Sequence, residues 1–293
     1  GEDREPQVSG DGRRIVFVHY PVATRLLAYS PATGLTTTLA SLLGSSAWAP
    51  RVSPDGTRIV FTQKVAGSPW NLVLLDRASG SMRTVLEGLP DALWARFHPD
   101  GQSLVFDARF RQGGRIGQVG LDGRGLRWLT AEGTDATYPD VSPDGRQIVF
   151  VKGRPDGADV CLRDAGGGPE RVVVPGATLP AFSPDGRRVL FARSRSFSGG
   201  VGVVDLAGGE PRWLTSSGTW PTWAPDGRSV VYADVGSEGD QAAWTVRLDG
   251  GTPQPLGRFR WHGAHYPFVL ARSGELITAD SGDTRSTIWL AEY

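Results

Sequence analysis

The sequence predicts an all-β protein assembled from one repeated unit, and three observations predict it. The tetrapeptide Ser142-Pro143-Asp144-Gly145 recurs as Ser53-Pro54-Asp55-Gly56, His98-Pro99-Asp100-Gly101, Ser183-Pro184-Asp185-Gly186 and Ala224-Pro225-Asp226-Gly227. Its aspartates, with Asp11 of a degenerate first copy, stand at 11, 55, 100, 144, 185 and 226, which gives steps of 44, 45, 44, 41 and 41 residues. Each period holds four short strand-like runs and no helical periodicity, as in Leu179–Ser183, Arg188–Ala192, Gly202–Leu206 and Arg212–Thr215. Four short strands per period of this size, repeated around a ring, describe a β-propeller. An eroded last copy, Ala271-Arg272-Ser273-Gly274, brings the first strands to seven. The expectation is therefore one propeller of seven blades, mostly of four antiparallel strands, with six blades as the alternative.

The unit itself explains the fold. Ser-Pro-Asp-Gly is a tight turn: Pro presets φ at its second position, Asp is tolerated at the third and Gly at the fourth. The run that follows, such as Ile148-Val149-Phe150, is β-branched and aromatic, as strands prefer. Pro139, before the turn, lacks an N–H and suits an edge strand. Blades are expected at about 6–43, 48–89, 93–131, 138–175, 179–215, 220–260 and 266–293, all in one domain, because no linker interrupts the repeats. The last run, Ile288-Trp289-Leu290, reads as a third strand with no fourth after it, so the last blade is expected to be three-stranded and closed by side-chain packing.

Composition narrows the function. Forty glycines and twenty-one prolines match the many turns. Thirty-one basic and thirty-one acidic residues cancel, and no long basic run occurs, which argues against nucleic acid as a partner. Nothing approaches the ~18 consecutive apolar residues of a membrane span. Cys161 is the lone cysteine and lies inside a strand-like run, where it reads as a small buried hydrophobe.

The pattern Pro-x-aromatic/aliphatic-Ser-Pro-Asp-Gly-Arg-x-aliphatic-x-Phe resembles the TolB-like propeller family, whose repeat is called WD40-like or PD40. The resemblance covers essentially the whole chain. It implies a non-enzymatic binding scaffold with a protein or peptide partner, in the bacterial periplasm or cell envelope or secreted. TolB itself adds an N-terminal α/β domain, which these residues do not show, and its propeller has six blades. Architecture alone assigns no activity.

Two sets of loops follow from the strand order. The Ser-Pro-Asp-Gly turns share a face with other short, repetitive turns and read as scaffold. The opposite face carries the variable loops, and function is expected there and at the channel mouth. Matched positions at the start of the first strands read Glu5, Trp48, Trp94, Tyr138, Leu179, Trp220 and Tyr266, with Trp48 offset by one. These aromatics either ring the channel and grip a peptide or sugar, or pack between blades. Two positions on, the residues read Gln7, Arg51, Arg96, Asp140, Ala181, Thr222 and Phe268, a mixture that suits a channel wall. Arg51, Arg96 and Asp140 there form either a salt-bridge network or an anion contact. The variable loops are basic in blades 3 to 5, with Arg109, Arg111 and Arg195 beside Phe110 and Phe197, and acidic in the last two. That split would orient a charged partner.

The alternative is a propeller enzyme or carbohydrate binder. His19, His262 and His265, with Asp280 and Tyr20, converge if the first and last blades are neighbours. Such a set suits zinc or manganese, or acid–base work on an acidic sugar, as in polysaccharide lyases built on seven-bladed propellers. No nucleophile elbow, zinc helix or P-loop motif occurs. No cofactor is expected for the binding scaffold.

Overall fold

A computed structural model describes residues 2–8, 14–20, 23–29, 32–33, 35–193, 199–235, 241–261, 269–270, 276–280 and 287–292. Side chains are described for 24–28, 32–33, 35, 37–193, 199–234 and 243–256. Every regular element in these residues is a strand.

Five blades are built from consecutive strands. The first pairs β5 (Ser45–Val52), β6 (Arg58–Val65), β7 (Asn71–Asp76) and β8 (Met82–Leu86) in that order. The second has β9 (Ala92–Phe97), β10 (Ser103–Phe110), β11 (Gly113–Gly120) and β12 (Arg127–Trp128); the third has β13 (Ala136–Val141), β14 (Gln147–Arg154), β15 (Gly157–Asp164) and β16 (Arg171–Val174). The fourth has β17 (Thr178–Phe182), β18 (Arg188–Ala192), β19 (Val201–Asp205) and β20 (Arg212–Trp213); the fifth has β21 (Thr219–Trp223), β22 (Ser229–Val235), β23 (Gln241–Arg247) and β24 (Gln254–Trp261). The first strand of each blade is a free edge that faces the channel, with the later strands stepping outward.

The chain ends do not form two further blades. From the C-terminal side, β25 (Val269–Leu270) and β26 (Leu276–Asp280) join β3 (Ala23–Tyr29) and β4 (Thr36–Leu43) in one four-stranded sheet, ordered β25-β26-β3-β4. β26 and β3 run antiparallel, with Thr278 opposite Leu27 and Ile277 opposite Ala28. This composite sheet packs on the first blade: Leu26, Ala28 and Leu42 share a core with Ala47, Ile59 and Phe61. Its other neighbour is β21 of the fifth blade. The remaining strands, β1 (Glu2–Val8), β2 (Arg14–Tyr20) and β27 (Thr287–Glu292), make a separate three-stranded sheet.

The expectation of seven blades is thus corrected. The degenerate first repeat and the eroded last repeat are not two blades, because each gives strands to a sheet it shares with the other. Residues 6–43 are split between two sheets, and the Ile288-Trp289-Leu290 run pairs with β2 instead of finishing a last blade. The physical reason is that a broken ring has two open edges. Hydrogen-bonding β26 to β3 covers both, which side-chain packing alone would leave exposed.

Between blades lies a dry core. Phe61, Phe106, Phe150 and Phe191, each five residues beyond the turn glycine, are fully buried, and Tyr232 takes that place in the fifth blade at 2% exposure. Each aromatic opposes a defect in the neighbouring inner strand. Ala49-Pro50, Trp94-Ala95, Tyr138-Pro139, Leu179-Pro180 and Trp220-Pro221 are unpaired pairs of residues facing a single residue across the ladder. These are β-bulges. Their first residue lies in the left-handed region in all five blades, at φ 50° to 54°. The prolines fall where no N–H is needed, which explains Pro139 better than a strand start does.

Candidate functional site

The turns close on themselves. The Ser142 hydroxyl donates to Asp144 Oδ1 at 2.6 Å, the Arg146 N–H donates to the same oxygen at 3.0 Å, and the Gln147 N–H donates to Ser142 Oγ at 2.9 Å. Gly145 sits at φ 74° and its amide donates to the Ser142 carbonyl at 2.8 Å. The Asp55 and Asp185 turns repeat the pattern. Hydrogen bonds, led by the Ser53 hydroxyl, hold the Asp55 carboxyl down at about 2, and Asp144 and Asp185 are lowered by the same kind of donor. The repeated carboxylates are therefore spent within their own turns.

The bulges set the floor of the channel. A left-handed residue turns its side chain toward the axis, and Trp94 and Trp220 stack there with ring centroids 5.2 Å apart. They come from blades separated by two intervening blades, so their contact spans the channel. Tyr138 lies 4.7 Å from Trp94 and 6.3 Å from Trp220. With Leu179 these rings form one buried cluster. Ala49 occupies the matched place in the first blade. Trp48 stands one residue earlier, level with Leu93 and Thr137, and its ring packs on Trp70 at 3.8 Å.

Above this floor, toward the Ser-Pro-Asp-Gly turns, lies a cavity of about 710 Å³. Pro54, Pro99, Pro143 and Pro184 of the turns line its mouth, and its wall carries Arg51, Arg96, Asp140, Ala181 and Thr222. The cavity thus opens on the face read as pure scaffold from the sequence. Arg96 Nε pairs with Asp140 Oδ1 at 3.3 Å, while the Phe182 N–H donates to Asp140 Oδ2 at 2.7 Å and ties the third blade to the fourth. Burial pushes the Asp140 carboxyl above its ordinary value despite the pull of Arg96. Arg51 donates to the Pro50 carbonyl at 2.7 Å. Burial, and then the like charge of Arg96, hold its pKa well below the ordinary guanidinium value.

On the loop face several of the described charges are tied up locally. Arg109 pairs with buried Asp107 at 3.2 Å, Lys152 pairs with Glu170, and Arg154 pairs with Asp159 at 3.0 Å. Phe110 turns onto Trp128 at 5.6 Å, edge on, and the Arg115 guanidinium covers the same ring at 4.4 Å. Arg111 is exposed. Arg195, Phe197, His262, His265 and Tyr266 lie outside the described residues, as do the side chains of His19, Tyr20 and Asp280. Among the described residues, no three His, Cys, Asp or Glu side chains cluster to hold a metal ion. No helix among them is long and apolar enough to cross a membrane.

Sequence reasoning named Trp94, Tyr138, Leu179 and Trp220 at the channel but missed that they are bulges, placed Trp48 in the set where Ala49 belongs, and missed the proline-lined mouth. The signal was present: Pro50, Pro139, Pro180 and Pro221 recur one residue after the axial position. What was absent was any sign that the residue before each proline takes a left-handed conformation.

The architecture and the axial, partly charged cavity define a channel-bearing propeller. Residues 4–179 match the family model described as the TolB beta propeller domain, PD40, and the chain belongs to that family. An uncharacterized protein of Agrobacterium fabrum is 33% identical over 104 residues, a segment spanning 35% of each chain. Among solved structures, a candidate TolB from Agrobacterium tumefaciens superposes with a TM-score of 0.77 at 21% identity, over 90% of this chain and 99% of that one. TolB from Acinetobacter baumannii gives 0.65 at 20% identity, over 92% and 66%. An oligogalacturonate lyase in complex with manganese gives 0.61 at 15% identity, over 91% and 79%. At these identities the solved structures speak to the fold alone.

Proposed function

We propose that this protein is a binding propeller that holds a peptide segment of a protein partner in its channel, entered from the Ser-Pro-Asp-Gly turn face. The setting proposed for it is the bacterial cell envelope, which follows the family. The observation that carries the reading is the axial cavity: a floor of stacked Trp94 and Trp220, a charged wall and a mouth of prolines. Concave, largely apolar sites with a few fixed polar groups are where ligands bind. An extended peptide offers backbone groups to the free inner strand edges and side chains to the prolines. The variable loop face is the competing surface, and its described cations are largely paired within their own blades.

The two surfaces separate in one experiment. Synthetic hexapeptide arrays are screened against the protein, against Ala181→Trp, which fills the cavity, and against Arg111→Glu on the loop face. Loss of binding in Ala181→Trp alone supports the channel. Loss in Arg111→Glu alone moves the site to the loops and overturns the reading.

A further inference from the structure

We propose that the cavity is a carboxylate receptor: the bound peptide anchors one carboxylate, from its C-terminus or from an Asp or Glu side chain, between the guanidinium groups of Arg51 and Arg96. The inference rests on the channel reading for the ligand being a peptide; the carboxylate site itself stands on the wall residues.

Three observations converge. First, the charges of the inner wall do not balance. Arg51 and Arg96 face one another's blade with Asp140 as the single carboxylate at that level, which leaves one positive charge in excess among the described residues. One excess charge matches a monoanionic carboxylate better than a dianionic phosphate. Second, donors are left over. Arg96 spends Nε on Asp140, and its Nη1 is buried without a partner. Arg51 has no carboxylate within 4.0 Å among the described residues and uses Nη1 on its own neighbour's carbonyl. A buried donor without a partner is a cost, and a small shift of the Arg96 side chain toward a ligand oxygen in the cavity relieves it. Guanidiniums at matched positions of adjacent blades, both lining the cavity, suit the two oxygens of a carboxylate. Third, the space lies where the anion needs it. Across the ring the matched positions are Ala181 and Thr222, both small, so the charged side of the cavity has room in front of it.

The like-charge pressure between the two arginines points the same way. Arg96 helps to lower the pKa of Arg51, and an anion between them would remove that penalty. Asp140 does not fill this role, because its oxygens are already engaged by Arg96 and by the Phe182 amide.

The test uses two probes on the whole chain. Acetate is titrated to about 100 mM while the arginine Nε–H signals are followed by NMR, with Arg51→Met identifying the first resonance and Arg96→Lys the second. The expected result is a saturable shift of both signals, weakened as NaCl rises. In parallel, peptides selected on the arrays are measured with a free C-terminus, with an amidated one, and with internal Glu changed to Gln. Removing the carboxylate that serves as anchor is expected to weaken binding about tenfold, and Arg51→Met to weaken the acid form by a similar factor while sparing the neutral one. The amide and Gln arms tell which kind of carboxylate is used. If Arg51→Met fails to fold, Arg51→Lys, which keeps the charge and removes the fork, takes its place. Acetate shifts without any peptide binder would keep the carboxylate site and end the peptide reading. Peptide binders indifferent to their carboxylates, with acetate-silent arginines, would end the carboxylate site and leave the peptide reading standing. Silence from both probes overturns both.

Discussion

Phe150 shows how one residue of the repeat holds two elements. It is fully buried, opposes the Tyr138-Pro139 bulge on its inner side and pairs with Cys161 on its outer side. Phe150→Ala should therefore cost about 3–5 kcal/mol, read from urea unfolding. In the fourth blade the outward partner of the matching phenylalanine is Gly202, where an added methyl would sit 2.5 Å from the Phe191 ring. Gly202→Ala should destabilise by about 1–3 kcal/mol through overpacking. Gly166→Ala, at a loop position with nothing within 4 Å, should be close to neutral in the same measurement. Cys161 is inert by contrast: burial pushes its thiol up to about 11, so little thiolate forms at neutral pH.

At the scale of the element, the turn and the bulge divide the work of the inner hairpin. The turn reverses the chain with its own side chains, and its carboxylate is stabilised as an anion. A carboxyl whose folded pKa lies below the unfolded value of about 3.9 adds stability at higher pH and loses it as pH falls through the folded value. For Asp55, held at about 2, that window runs from about pH 4 down to about pH 2. The urea midpoint should fall across this range. The triple variant Asp55→Asn, Asp144→Asn and Asp185→Asn, which keeps an acceptor oxygen but no charge, should flatten the slope. The bulge carries the opposite signature. Five non-glycine residues in the left-handed region each cost about 1 kcal/mol or more. The aromatic stack across the axis offsets that strain. Trp94→Ala should cost about 3–5 kcal/mol and also open the floor, which a crystal structure of the variant would show as a continuous channel.

The whole molecule is governed by how its ends meet. Pairing β26 with β3 makes the chain termini partners in one sheet. Residues opposite each other on an antiparallel pair lie about 4.5–5.5 Å apart at Cα, within reach of a disulfide. Leu27→Cys with Thr278→Cys should therefore oxidise to a closed chain, visible as faster migration on a non-reducing gel, and raise the melting temperature. The buried Cys161 will not compete. Failure of this pair to cross-link, with accessible thiols, would count against the composite sheet.

Much of this molecule is legible in its residues. The spacing of the Ser-Pro-Asp-Gly turns determines the strand content, the blade period, the register of the buried Phe61, Phe106, Phe150 and Phe191 and the direction in which each inner strand runs. Those properties are local: turn chemistry and side-chain alternation act over a few residues, and a repeat writes them several times. Arg51, Arg96 and Asp140 were also readable as a wall, because a core position would have repeated one apolar type. Ring closure was not readable. Counting repeats counts hairpins, and nothing local says that the first hairpin leaves its own β3 and β4 to pair elsewhere. The floor of the cavity was likewise decided only in three dimensions. Trp94 and Trp220 are 126 residues apart, and they meet because left-handed bulges aim both rings at one axis. That contact sets the floor of the cavity, whose mouth lies among the turn prolines. The turns that repeat most faithfully therefore frame the mouth of the site, because a ring of equal scaffolding turns encloses an axial space that the described side chains do not fill.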